Sequence, residues 1–257
     1  MNDPRWMVIT GASSGIGEEM ARIAASRGRS LVLVARRQER LAGLAQGLAS
    51  DAVRIETVAL DLERPDSAQA LVTTLQERGI VVETLVNNAG FGLRGGFASL
   101  PYEEQIAMIE LNVTTLTRLC RLVLPDLVAQ RRGGIINVAS LAAWQAIPFF
   151  AVYAATKAYV VSLSEALHEE VRRHGVVVTA VCPGPTTTEF AIRADMEKSK
   201  LFNMAPMNAA AVARMGLDGH EAGRAVVIPG LRNRATGFGS RLVPRIVARR
   251  VAGWLQG

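Results

Sequence analysis

With 257 residues, 49% of them hydrophobic and 20% charged, the chain is an ordinary globular protein, long enough for one large α/β domain or two smaller ones. No apolar run reaches the roughly 18 residues needed for a bilayer-spanning helix. The net charge of +6 does not predict a nucleic-acid binder: residues 232–257 hold six arginines and no acidic residue, leaving the first 231 residues neutral overall.

The start, Met1-Asn2-Asp3-Pro4-Arg5, enters an apolar stretch without the long apolar region of a secretory signal, so a cytoplasmic location is expected. Residues 6–10 read as a short buried strand, and the turn Gly11-Ala12-Ser13-Ser14-Gly15-Ile16-Gly17 leads from it into a helix-compatible run ending near Arg27. Strand, glycine-rich turn and helix start are what a diphosphate requires. Glycines let the backbone approach the oxygens, and the helix N-terminus presents unpaired N–H groups and a positive dipole end.

A second strand, 30–34, ends in Ala35-Arg36-Arg37. At this distance past the glycine turn an acid would accept an adenosine 2′-hydroxyl, whereas an arginine suits a 2′-phosphate; the sequence has arginine and no carboxylate. The two arginines therefore predict NADP(H) in preference to NAD(H), unless they only begin the solvated helix over 38–49. Residues 53–60 read as a third strand ending at Asp61, which either faces the adenine amino group or caps the next helix, 66–78.

A fourth strand, 84–86, runs into Asn87-Asn88-Ala89-Gly90, where asparagines can pin adjacent loops and the small residues leave room for a ligand. One long helix is expected over 102–131, with Asn112 inside it as either a purposeful distortion or a polar residue on an exposed face. A fifth strand, 134–139, delivers Ser140, followed by an apolar loop in which Leu141, Trp144, Phe149 and Phe150 either pack inward or line a pocket.

The next helix, running to about His174, carries Tyr153 and Lys157 four apart on one face. Arginine is the default cation here, and only three lysines occur (Lys157, Lys198, Lys200), so position 157 calls for a compact ammonium. Such a neighbour would favour the phenolate of Tyr153 and make the pair a proton donor and acceptor. A sixth strand, 176–181, ends in Cys182-Pro183-Gly184-Pro185-Thr186-Thr187-Thr188. Residues 186–215 fit either a lid over an apolar ligand, with Phe190, Met196, Leu201, Phe202, Met204 and Met207, or a surface helical pair; a seventh strand follows over 225–228. Cys120 and Cys182 lie in unrelated segments and the three histidines are scattered, so neither a disulfide nor a metal site is expected.

Strands alternating with helices, without a linker, point to a single α/β domain built on a doubly wound parallel sheet. Thr10-Gly11-x-x-x-Gly15-Ile16-Gly17, Asn87-Asn88-Ala89-Gly90, Asn112, Ser140, Tyr153-x-x-x-Lys157 and Pro183-Gly184 together resemble the short-chain dehydrogenase/reductase family over about residues 6–230. The resemblance implies a Rossmann-type sheet of about seven parallel strands and a catalytic set of Asn112, Ser140, Tyr153 and Lys157. In that set Tyr153 is the general acid/base, Lys157 holds the nicotinamide ribose and lowers the Tyr153 pKa, Ser140 bonds the substrate oxygen, and Asn112 supports a proton-relaying water. It also implies cofactor contacts from Gly11, Ser13, Ser14, Gly15, Ile16 and Gly17 at the diphosphate, and from Arg36 and Arg37 at the 2′-phosphate. Asp61 would meet the adenine, Asn88, Ala89 and Gly90 the ribose, and Pro183, Gly184, Thr186 and Thr188 the nicotinamide side.

Together these readings describe an NADP(H)-dependent oxidoreductase interconverting a hydrophobic ketone or aldehyde and its alcohol, working as a homodimer or homotetramer. A non-catalytic NADP(H)-binding sensor on the same fold is the alternative. The segment 240–257 lies outside the resemblance. Its apolar Leu242, Val243, Ile246, Val247, Val251 and Trp254 share one side of a helix started by Pro244, with Arg241, Arg245 and Arg249 on another. Such a helix either rests on an anionic membrane surface or packs on the body or a neighbouring subunit.

Overall fold

Aliphatic and β-branched runs buried on both faces form the central strands, the pattern of a parallel sheet covered by helices on each side. The computed structural model describes residues 5–194, 206–242 and 244–256. In chain order the elements are β1 (Arg5–Thr10), α1 (Gly15–Ser26), β2 (Ser30–Ala35), α2 (Gln38–Leu48), β3 (Ile55–Ala59), α3 (Ser67–Glu77), β4 (Val81–Asn87) and α4 (Tyr102–Ile109). A π-helical turn, Glu110–Thr115, joins α4 to α5 (Leu116–Gln130); then come β5 (Gly134–Val138), a 3₁₀ turn (Leu141–Trp144), α6 (Ala151–Val171) and β6 (Val177–Val181). After β6 come α7 (Glu189–Arg193), α8 (Ala209–Glu221), β7 (Val226–Val227), α9 (Leu231–Leu242) and α10 (Arg245–Gln256), besides a short parallel pair of Thr186–Thr187 with Met207–Asn208 outside the main sheet.

The seven strands pair in the order β3-β2-β1-β4-β5-β6-β7, all parallel, and form a Rossmann-type doubly wound sheet. Side chains alternate between two cores. Trp6 and Val8 of β1 pack on one face with Leu71 of α3, Leu119 and Leu127 of α5 and Val160 of α6. Met7 and Ile9 pack on the other with Met20 of α1, Leu41 of α2 and Leu217 of α8. Strand order reverses between β1 and β4, and the crevice at their carboxyl ends is where such a sheet binds ligands.

Two expectations need correction. The long helix over 102–131 is interrupted by the π turn, which carries Asn112 inward to full burial; of the two readings for that residue, the distortion is the one observed. The lid does not extend to 215. Val212, Ala213 and Leu217 are buried and α8 packs on α1, so 209–215 belong to the body, while Met196, Leu201, Phe202 and Met204 lie outside the described residues. The helix expected to start at Pro244 is present as α10, while Leu242 belongs to the preceding α9. No helix among the described residues is long and apolar enough to cross a membrane.

Candidate active site

A cavity of about 440 Å³ runs along the carboxyl ends of β1 to β6 and gathers most of the residues singled out from sequence. Its floor on the β1 side is tied together by Thr10. The Thr10 hydroxyl donates to the Val86 carbonyl (3.1 Å) and accepts from the backbone N–H groups of Asn88 and Ala89 (both 3.0 Å). Asn88 Nδ2 donates in return to the carbonyls of Thr10 (3.0 Å) and Gly11 (3.1 Å), locking the turn after β1 to the turn after β4.

Gly11 and Gly15 have φ of 65° and 60°, the left-handed region that glycine enters without cost. A Cβ at Gly11 would stand 2.8 Å from Asn88 Nδ2, so the knot also requires the missing side chain. Gly11, Ser13, Ser14, Gly15 and Ile16 line the cavity. Ser14 precedes α1 without capping it by its side chain, leaving the helix N-terminus to an anion. Gly17 does not line the cavity. A Cβ there would lie 2.4 Å from Asn88 Nδ2 and 2.5 Å from the Gly11 carbonyl oxygen, so its bareness lets α1 press against the turn.

Arg36, Arg37 and Asp61 line the same end. Arg36 pairs with Glu63 at 3.0 Å. Arg37 donates to Ser13 Oγ through Nη2 (2.9 Å) and to Glu189 Oε2 through Nη1 (2.8 Å). Asp61 accepts from the Glu63 N–H (3.1 Å) and does not cap α3, whose N-cap is Asp66. The open glycine turn and the uncapped helix start fit the diphosphate of a dinucleotide.

At the other end, β5 delivers Ser140, whose side chain accepts from the Ala142 N–H (3.1 Å) and hydrogen-bonds to Tyr153. Tyr153 and Lys157 are buried on one face of α6, with Lys157 Nζ donating to the Val138 carbonyl (2.8 Å) and lying 5.8 Å from the Tyr153 ring centroid. Burial pushes the Tyr153 phenol up to about 12, against the Ser140 hydrogen bond, which favours the phenolate. Burial also brings the Lys157 ammonium down to about 8. Loss of hydration therefore dominates at Tyr153. Burial likewise pushes the thiols of Cys120 and Cys182 up to about 12, consistent with inert core residues.

Asn112 spends its amide on the neighbouring loop and helix. Nδ2 donates to the Phe91 carbonyl (2.9 Å) and to Thr156 Oγ1 (3.2 Å), and Oδ1 accepts from the Phe91 N–H (3.2 Å). It thereby ties the segment after β4 to α6. Gly90, between them, would place a Cβ 2.7 Å from Asn112 Oδ1.

The apolar wall is made by Leu141, Ile147, Phe150 and Phe190. Phe150 and Phe190 flank the Tyr153 ring at centroid distances of 4.5 Å and 5.5 Å. Trp144 and Phe149 were expected here and do not line the cavity: Trp144 packs beside the main core, and Phe149, at φ 63°, turns its ring outward and is 51% exposed. Pro183, Gly184, Thr186 and Thr188 complete the wall, with Thr186 Oγ1 donating to the Gly184 carbonyl (2.9 Å). Thr10, Glu63, Ile147, Thr156 and Glu189 went unassigned from sequence. Thr10 alone had a visible signal, as the residue opening the glycine turn.

The family model described as short chain dehydrogenase matches residues 5–199. A very-long-chain 3-oxoacyl-CoA reductase of Mycosarcoma maydis is 36% identical over 178 residues, 68% of this chain and 51% of that protein, so the chain spans about half that relative's length. Among solved structures, a short-chain dehydrogenase from Sphingobium yanoikuyae in complex with NADPH is 36% identical with a TM-score of 0.83, covering 93% of this chain and 94% of that one. A short chain dehydrogenase/reductase from Burkholderia phymatum in complex with NAD is 26% identical with a TM-score of 0.81, covering 92% of each chain.

Proposed function

The chain belongs to the short-chain dehydrogenase family and is an oxidoreductase of that family; from this premise we propose that it uses NADP(H) to interconvert a hydrophobic ketone or aldehyde and its alcohol. One observation carries the reading: a single cavity has Arg36 and Arg37 at one end and Ser140 and Tyr153, in an apolar wall, at the other. The Sphingobium relative, solved with NADPH, supports the cofactor assignment, and the 3-oxoacyl-CoA reductase supports a carbonyl on an apolar body.

In this reading the glycine turn and the start of α1 hold the diphosphate, Arg36 and Arg37 the 2′-phosphate, and Lys157 the nicotinamide ribose. The bound nicotinamide supplies or accepts the hydride. Ser140 and Tyr153 orient the substrate oxygen. Because burial keeps the phenol protonated far above neutrality, Tyr153 is set to give its proton to the oxygen during reduction. Lys157, cationic below about pH 8, stabilises the phenolate as it forms. Phe150 and Phe190 keep water from the tyrosine ring, and Asn112 holds the loop behind it.

Incubating the protein with NADPH or NADH and a panel of hydrophobic ketones tests the proposal, with faster turnover expected from NADPH. Arg36→Asp should weaken NADPH far more than NADH, and an unchanged preference would overturn the cofactor assignment. Tight NADPH binding without turnover of any carbonyl would favour the sensor.

A second reading concerns α10. Its inner side carries Ala252, buried, and Gly253, where a Cβ would lie 3.2 Å from Pro148 Cγ. Val247, Val251 and Trp254, the last 67% exposed, face outward, with Arg250 also exposed. Bulky apolar groups outside, on a segment without acidic residues, suit an anionic lipid surface better than a second copy of the same basic face. Cosedimentation of the full chain with phosphatidylserine vesicles tests this; Val247→Asp with Val251→Asp should abolish it, and binding equal to that of the unaltered chain would end the idea.

A further inference from the structure

Glu189 opens α7, next to Phe190, which lies against the Tyr153 ring. Its own side chain reaches the opposite end of the cavity. Oε2 accepts from Arg37 Nη1 at 2.8 Å, while Oε1 accepts from Arg40 Nη1. These two guanidinium groups hold the carboxyl below the usual carboxylate range, the Arg40 hydrogen bond first and the Arg37 bond second, so it is ionised at neutral pH. Arg37 binds Ser13 with its remaining face, through Nε (3.2 Å) and Nη2 (2.9 Å) to the hydroxyl and Nη2 (3.3 Å) to the carbonyl. One arginine thus spans the glycine turn and the first residue of α7.

A carboxylate on the fork of Arg37 stands on the donor that a 2′-phosphate would use. We propose that Glu189 is a specificity-determining residue: an internal competitor for the 2′-phosphate subsite that occupies Arg37 and Arg40 in the free protein and yields Arg37 to the phosphate on binding. This rests on the NADP(H) reading above. The exchange is favourable in that direction because a phosphate monoester carries close to two negative charges and three acceptor oxygens against one charge and two oxygens. It is also easily made, since an exposed carboxylate–arginine pair is worth little in water. Glu63 stands toward Arg36 as Glu189 stands toward Arg37, at 3.0 Å, so both arginines of the subsite carry a carboxylate that sets a threshold for the incoming anion.

The functional consequence is a tuned cofactor affinity. A bare Arg36-Arg37 pair would hold any phosphate, including inorganic phosphate, whereas the occupied pair releases only to a ligand anchored elsewhere in the cavity. Neutralising Glu189 removes both the competitor and its repulsion of the phosphate. Each effect is that of one exposed charge pair, so together they predict a gain of about three- to tenfold for ligands bearing the 2′-phosphate and none for ligands lacking it.

Titration calorimetry of wild type and Glu189→Gln with 2′,5′-ADP and with 5′-AMP tests this. The expected result is tighter 2′,5′-ADP binding by Glu189→Gln, unchanged 5′-AMP binding, and a smaller gain at high salt. Glu189→Asp, retaining the charge, should stay near wild type. Equal shifts for both ligands, or weaker 2′,5′-ADP binding by Glu189→Gln, would overturn the proposal while leaving the cofactor reading standing. A wild type that binds 5′-AMP as tightly as 2′,5′-ADP would overturn the cofactor reading itself, and the role of Glu189 with it.

Discussion

Replacing Gly17 by alanine separates a packing role from a phosphate-binding one. The new Cβ would sit 2.4 Å from Asn88 Nδ2 and 2.5 Å from the Gly11 carbonyl oxygen, about 1 Å inside ordinary contact. Asn88 cannot swing away freely, because Nδ2 donates to the Thr10 and Gly11 carbonyls at 3.0 Å and 3.1 Å. Overpacking of this kind costs about 1–3 kcal/mol, and losing one of those hydrogen bonds adds about 1 kcal/mol, for a total of about 2–4 kcal/mol. In a chain of this size that lowers Tm by roughly 5–15 °C. Because the knot shapes the floor of the cavity, NADPH binding should weaken by about tenfold as well. Gly43 is the control: it lies in α2, where a Cβ would meet nothing within 4 Å, so Gly43→Ala should raise stability by up to about 1 kcal/mol and leave binding alone. Thermal melts and fluorescence titration with NADPH read both. A Gly17→Ala protein as stable as wild type would refute the close approach of α1 to the turn.

Two further predictions concern pH. With ketone saturating, kcat/KM for NADPH reports groups of the protein before the nucleotide binds; it should fall as pH rises through about 8, where Lys157 loses its charge, and a flat profile to pH 10 would contradict that role. His220 is buried against Thr179 (2.9 Å), and its pKa is lowered from 6.5 to about 4, by burial first and by the charges of Arg29 and His168 after it. The unfolded chain takes up that proton near pH 6.5 and the folded chain only near 4. The stability from neutral His220, up to about 3 kcal/mol, is therefore complete above pH 6.5 and lost as pH falls toward 4. Urea midpoints should show this decline, and His220→Gln should flatten it; parallel curves for the two proteins would remove His220 as its source.

Much of the site was legible because its chemistry lies at strand ends. A buried aliphatic strand followed by glycines, or by two arginines, says which end of the sheet those residues occupy, and the topology then brings the ends together. The break in the helix over 102–131 was legible only as one of two readings of Asn112, since a π turn leaves the composition unchanged and it is the burial of that residue in the fold that decides between them. Trp144 and Phe149 show a second limit. Apolarity in a loop states that a ring has a place to go, and the backbone at Phe149, with φ 63°, sends it outward.

The pairing of Arg37 with Glu189 spans 152 residues and leaves no local pattern in either segment. The pKa of Tyr153 fails for a related reason. Spacing on α6 places an ammonium nearby, but the hydration lost by both groups depends on the wall as a whole, in which Phe150 is a near neighbour on the chain while Phe190 comes from another element. Pairwise chemistry was readable along the sequence, whereas the dielectric surrounding it belongs to the fold.

In the proposed function Tyr153 moves the proton while the bound nucleotide moves the hydride. Tyr153→Phe keeps the ring between Phe150 and Phe190 and removes only the hydroxyl. Turnover of a hydrophobic ketone with NADPH should fall by about 10²–10⁴-fold, with NADPH affinity within about twofold of wild type. Turnover retained within tenfold of wild type would contradict the assignment of Tyr153 as the proton donor.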